Sequence, residues 1–123
     1  MTDERADAAP RDRVSMHADL TLARWERMTL AEQLGNVGAD AGRAIRARAS
    51  GNDARAAAGL ERALVQLDLT LDDPRWAGHR RREIARAREV VCDHLAGDNV
   101  YGSTPESLEA WFMAYAMAAR LGR

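Results

Sequence analysis

Arg75, Arg80, Arg81, Arg82, Arg86 and Arg88 crowd into one short segment that holds a single acid, Glu83, for a local charge of +5 with His neutral. A guanidinium is a planar fork of donors that matches phosphate oxygens, so Arg75, Arg80, Arg81, Arg82 and Arg86 form a candidate surface for RNA or DNA backbone. The competing reading is a solvated helix face whose arginines pair with Asp68, Asp72 and Asp73 on the preceding segment. Three consecutive arginines, Arg80 to Arg82, leave a helix in three directions, which favours the solvated face. A second polar cluster is the GDNVYG run, Gly97 to Gly102. Asp98 and Asn99 favour turn geometry, and Tyr101 can fold back over the end of a bundle. A structural loop explains these residues. Six residues exceed a minimal turn between antiparallel helices, and that makes Asp98, Asn99 and Tyr101 candidates for contacting a ligand.

Other reactive side chains point to packing and pairing. Cys92 stands beside Asp93 with no cation in sequence to activate it, as expected of a small buried residue. His79 with Glu83, and Glu89 with Asp93, are i,i+4 pairs, and the chain lacks the Glu-x-x-His pairs of di-iron bundles. No metal site and no cofactor are expected. Asp68 follows Leu67 and, if partly buried, should pair with an arginine of the third helix and fix its register.

The elements that must position these residues read as helices. The chain has 123 residues, 46% hydrophobic and 30% charged, enough for one compact domain. Aromatics are only 5%, and Ala, Arg, Leu and Glu dominate, a mix that favours helix. Residues 1–18 are charged and poor in apolar side chains, so they are expected as a mobile tail ahead of a bundle domain over residues 19–123. Leu20, Leu22, Trp25 and Met28 suit a short lead-in whose Trp packs on the bundle end.

The first long helix opens at Thr29, where T-L-A-E supplies a capping box, and closes near Ser50-Gly51-Asn52. Its seam is Leu30, Leu34, Val37, Ala41, Ala44 and Ile45. Gly35, Gly38 and Gly42 lie inside it, and close approach of another helix, from this chain or a second one, would compensate their cost. A second helix runs from about Asp53, as cap, to about Leu71, with Ala57, Leu60, Leu64, Leu67 and Leu71 on one stripe beside Ala63. Pro74 follows Asp73 as a cap, and the third helix starts between Pro74 and His79 and ends before Gly97. Its apolar positions are Ile84, Ala87, Val91 and Leu95. The fourth opens on S-T-P-E-S and buries Leu108, Trp111, Phe112, Tyr115, Ala118 and Ala119. Four such helices with short connections predict an all-α, antiparallel up-down-up-down four-helix bundle.

The runs LAEQLGNVGADAGRAI, LERALVQLDLTLDDPRW and REVVCDHLAGDNVYGSTPESLEAWF resemble small bacterial four-helix proteins that are distantly similar to the ribosomal-RNA intervening-sequence bundle proteins. The likeness spans roughly residues 20–121. It implies a helical bundle that oligomerises, with nucleic acid or protein complexes as partners and no assigned reaction. Arg88 and His94 also form an R-x5-H that resembles the signature of helical HEPN ribonucleases. That likeness implies a cation stabilising phosphate charge and a His acting as acid or base. Six residues of helix, however, separate the two side chains by about 120°.

Eighteen basic residues, all Arg, against nineteen acidic ones give a net charge of −1, so no global field draws the protein onto nucleic acid or an anionic membrane. The lone Cys92 excludes an intrachain disulfide, no apolar run approaches the ~20 residues of a membrane span, and the charged start lacks a signal-peptide core. A cytoplasmic, non-enzymatic interaction or assembly module is expected, self-associating or binding another protein. Gly35, Gly38, Gly42, Trp25, Met113 and Met117 are the residues expected at its interface. RNA or DNA binding through the third helix is the alternative, and cleavage by Arg88 and His94 a further one.

Overall fold

The computed structural model describes residues 23–121. The tail expected over residues 1–18 lies outside them. All regular structure among the described residues is helical, in four long helices packed together: α1 (Leu30–Ala49), α2 (Asp53–Leu71), α3 (His79–Ala96) and α4 (Pro105–Arg120). Residues 23–25 form a short helical stretch ahead of α1, and a 3-10 turn spans Pro74–Trp76.

Local chemistry sets the helix starts. Thr29 accepts from the Glu32 N–H while the Glu32 carboxylate accepts from the Thr29 N–H, which satisfies two otherwise orphaned donors. α2 is capped by Asn52 and not by Asp53, one residue earlier than the sequence suggested; the Asn52 Oδ1 accepts from the Arg55 N–H. Asp73 caps the 3-10 turn, and Gly78, at φ 87°, admits the chain into α3 through a backbone conformation that side chains disfavour. Thr104 and Ser107 close the box at the start of α4.

α1 is the central helix. Leu34, Val37, Ala41 and Ala44 are wholly buried along it. It packs extensively against α2 on one side and α4 on the other, and α3 packs mainly against α2. Its glycines explain the approach. A Cβ on Gly38 would stand 2.5 Å from the Phe112 Cβ, and one on Gly35 would touch Ala116 at 3.4 Å. Gly59 of α2 meets α1 similarly, with 2.9 Å to the Ala44 Cβ. Full burial of Leu34, Leu67 and Ile84 contributes ~2 kcal/mol each.

Two core assignments change. The buried stripe of α2 is Ala56, Gly59, Ala63, Leu67 and Thr70, while Ala57 is exposed and Leu60, Leu64 and Leu71 are half-buried. The stripe is rotated because α2 turns its small residues to α1 and its leucines sideways. On α4 only Leu108 and Phe112 are buried; Trp111, Tyr115, Ala118 and Ala119 are half-buried. The cause lies in the packing order, since α3 and α4 share no extensive interface and the ring of four helices is not sealed between them.

Candidate functional site

The most polar part of the interior sits where α2 turns into α3. Gln33, Thr70 and Asp73 are buried, and each is hydrogen-bonded. The Gln33 amide donates to the Trp25 carbonyl at 2.8 Å and to Asp73 Oδ2 at 3.2 Å, and its oxygen accepts from the Trp76 indole at 2.9 Å. The Trp25 indole donates to the Thr70 hydroxyl at 2.9 Å, which in turn donates to the Gln66 carbonyl. Arg75 closes the network on Asp73 at 2.7 Å and on the Met28 carbonyl at 2.9 Å, with its guanidinium 4.5 Å from the Trp76 ring centroid. The Arg75 side chain, with the burial it works against and the further bonds from the Arg75 and Gln33 N–H groups, draws the Asp73 carboxyl down to about 2. The network keeps its central groups, Gln33, Thr70 and Asp73, shut off from solvent. It fastens the lead-in, α1 and the α2–α3 turn to one another.

The arginine-rich segment consequently does not form one surface. Arg75 spends its Nε and Nη2 donors inside that network, on Asp73 and the Met28 carbonyl. Arg80 lies 5.9 Å from the Trp76 ring centroid, and Arg86 lies 5.3 Å from that of Tyr101. Arg88 donates to Asp68 at 2.8 Å, and this bond, against the burial of the guanidinium, raises its pKa further. Arg81 and Arg82 are exposed, with no side-chain partner among the described residues. Asp68 makes the cross-helix pair its position suggested, but with its side chain 55% exposed, so the pair is a surface one.

Arg88 and His94 are not brought together by any contact. Arg88 is engaged by α2, and His94 has its Nδ1 buried without a partner while its carbonyl accepts from Arg48 of α1. The GDNVYG loop is held by its own bonds. Asp93 accepts from the Val100 and Tyr101 N–H groups at 2.8 and 3.0 Å. Asn99, at φ 54°, clasps Ser103 with both ends of its amide. Asp98 is exposed, and Tyr101 is half-exposed under Arg86 instead of covering the core. The role of Asp93 as the anchor of this loop was missed from sequence, because nothing local marks a carboxylate that reaches seven residues ahead. Cys92 is free and half-buried. Among the described residues no three His, Cys, Asp or Glu side chains gather as a metal site.

Apolar side chains are accessible at the open seam and on the outer side of α4. Between α3 and α4 lies a cleft of about 270 Å³ walled by Val90, Val91, Leu108, Trp111 and Phe112. One hydrogen bond spans its far end, from the Tyr115 hydroxyl to Glu83 at 3.3 Å. Burial first, then the Glu83 charge and this bond, raise the Tyr115 pKa. On the opposite side of α4, Glu106, Ala110, Met113, Met117 and Arg120 are all exposed at 4-3-4-3 spacing, and Ala114 is exposed beside them. Met113 and Met117 are 57% and 55% exposed, and Leu121 extends the stripe at 73%. Trp25, expected with the methionines at an interface, is instead buried at the bundle end.

No helix among the described residues is long and apolar enough to cross a membrane. The chain matches no protein-family model, no curated protein and no solved structure, so a functional reading rests on its own residues.

Proposed function

We propose that this chain is a non-enzymatic assembly module, an antiparallel up-down-up-down bundle in the cytoplasm whose α4 pairs with α4 of a second copy. The direction of the helices is supported by paired contacts: Gln33 with Asp73, Asp40 with Gln66 and Ala44 with Gly59 descend α2 as they ascend α1. Gly35 with Ala116, Gly38 with Phe112 and Arg46 with Glu109 do the same on α4.

One observation carries the functional reading. The exposed heptad-spaced stripe of α4 has an acid at its N-terminal end, Glu106, a base at its C-terminal end, Arg120, and only alanine and methionine between. Such a face is self-complementary when two copies run antiparallel. Each Glu106 then lies near the partner copy's basic end, the helix dipoles oppose, and methionines adapt to the alanines across from them. Burial of Met113 and Met117 in each copy offsets the loss of free tumbling that association costs. Gly35 and Gly38 do not contribute, since both are occupied by α4 of the same chain, and Gly42 faces only the Arg46 side chain.

Light scattering after size-exclusion chromatography tests this, at low and moderate salt and with a short mixed RNA. A salt-insensitive dimer that ignores RNA is expected. A monomer that shifts only when RNA is added at low salt would transfer the function to Arg81 and Arg82 of α3.

A further inference from the structure

The turn between α1 and α2 gathers a second set of arginines that no local run announces. Arg43 and Arg46 stand one turn apart on α1, Arg55 and Arg62 two turns apart on α2, and with Ser50 and Asn52 they line one open cleft of about 540 Å³. Like charges crowded in this way repel, so something must hold them. Asp40 does so from below. Its carboxylate, only 8% exposed, accepts from Arg43 Nη2 at 2.7 Å, Arg62 Nε at 3.2 Å and Gln66 Nε2 at 2.8 Å. Burial would raise the Asp40 pKa, and these three bonds outweigh it and keep the group ionised. Arg46 is paired at 3.3 Å with Glu109 of α4.

The pairing is incomplete. Four guanidinium groups face the Asp40 and Glu109 carboxylates, and even with Asp53 in the first turn of α2 the balance stays positive. Each guanidinium carries five N–H donors, and Arg43 and Arg62 spend one apiece on Asp40. Arg55 has no side-chain bond among the described residues, and the Asn52 amide group, whose oxygen caps α2, has no partner for its own donors. The positive end of the α2 dipole opens at the same place. Gly42 also fits this arrangement: a Cβ there would approach Arg46 Nη1 to 3.3 Å, so its absence leaves room for that guanidinium beside α1.

We propose that this cleft is a binding site for a small ligand carrying two or more linked phosphate groups. Several forks at the rim of one cavity can each take a different phosphate oxygen pair, and a single small anion engages only one or two of them. The volume is that of a small-molecule site. No aromatic side chain lines the cleft to stack a base, and the net charge of −1 gives no long-range attraction to a polyanion, so the site suits a compact ligand better than a nucleic acid strand. The site is separate from the outer stripe of α4.

Isothermal titration calorimetry at constant ionic strength tests the assignment with sodium tripolyphosphate, a nucleoside diphosphate, sulfate and a short single-stranded RNA. Saturable binding of tripolyphosphate or the diphosphate, at least about tenfold tighter than sulfate, is expected, and the tighter of the two tells an inorganic chain from an organic carrier. Arg55→Ala, which breaks no internal bond, should weaken it about tenfold, while Arg82→Ala on α3 leaves it unchanged. Absence of saturable binding overturns the proposal. So would sulfate binding as tightly, RNA binding more tightly than either phosphate ligand, or equal losses in both variants.

Discussion

Asp73 shows how one side chain can control a whole junction. Its carboxylate caps the 3-10 turn, holds Arg75 and receives the Gln33 amide, all while 2% exposed. A carboxyl near 2 in the folded protein and 3.8 when unfolded has a depressed folded value. Its stabilisation is therefore complete above about pH 5 and is lost as pH falls through about 2, with a size of roughly 2 kcal/mol. Urea denaturation should show stability falling across that window in the wild type. In Asp73→Asn, about that much stability should already be missing at pH 7, with a flatter acid limb. An unchanged acid limb would mean that other carboxyls govern it. The caps at Thr29 and Asp73 were legible in sequence, and that of α2 to within one residue, because a capping side chain acts on backbone within three residues. Gln33 was not, because its partners are 8, 40 and 43 residues away.

At the scale of elements, the glycines of α1 separate by what faces them. Gly38→Ala forces α4 outward from Phe112, and overpacking of about 1–3 kcal/mol outweighs the gain of up to ~1 kcal/mol from helix propensity. Gly42→Ala displaces only the flexible end of Arg46, so the propensity gain prevails and stability is unchanged or raised. Thermal unfolding of the two variants reads this difference. Equal destabilisation by both would contradict the packing of α1 on α4. The presence of a close approach was readable from three glycines in one helix, but its partner was not. The same is true of α2, whose stripe the leucines place one position away from its true seam. Gly59 and Thr70 took those core positions because Ala44 and Trp25 meet them, and such meetings depend on the other helix.

For the whole molecule, four helices were evident from periodicity and caps, whereas the unsealed seam between α3 and α4 was not. Helix periodicity gives each element an apolar face without saying which elements share it. α4 has one extensively packed neighbour, α1, and that leaves its Met113 and Met117 side to another surface. The arginines that converge were not legible for a related reason. Within the dense run, Arg75, Arg80, Arg86 and Arg88 are engaged by Asp73, Trp76, Tyr101 and Asp68 and only Arg81 and Arg82 stand free among the described residues, while the four that converge are spread over α1 and α2. Local density and spatial convergence are different quantities in a protein of packed helices.

Sedimentation equilibrium of the wild type beside Met113→Glu and Val65→Glu addresses the self-association of α4 most directly. Val65 is a comparably exposed apolar residue on α2, at 48%. A charge at the centre of the α4 stripe should weaken the dimer at least about a hundredfold, because it must be desolvated against the partner copy, while Val65→Glu and the helical content of both variants stay as in the wild type. A wild type that remains monomeric at about 100 μM, or two variants that dissociate alike, would contradict pairing through α4.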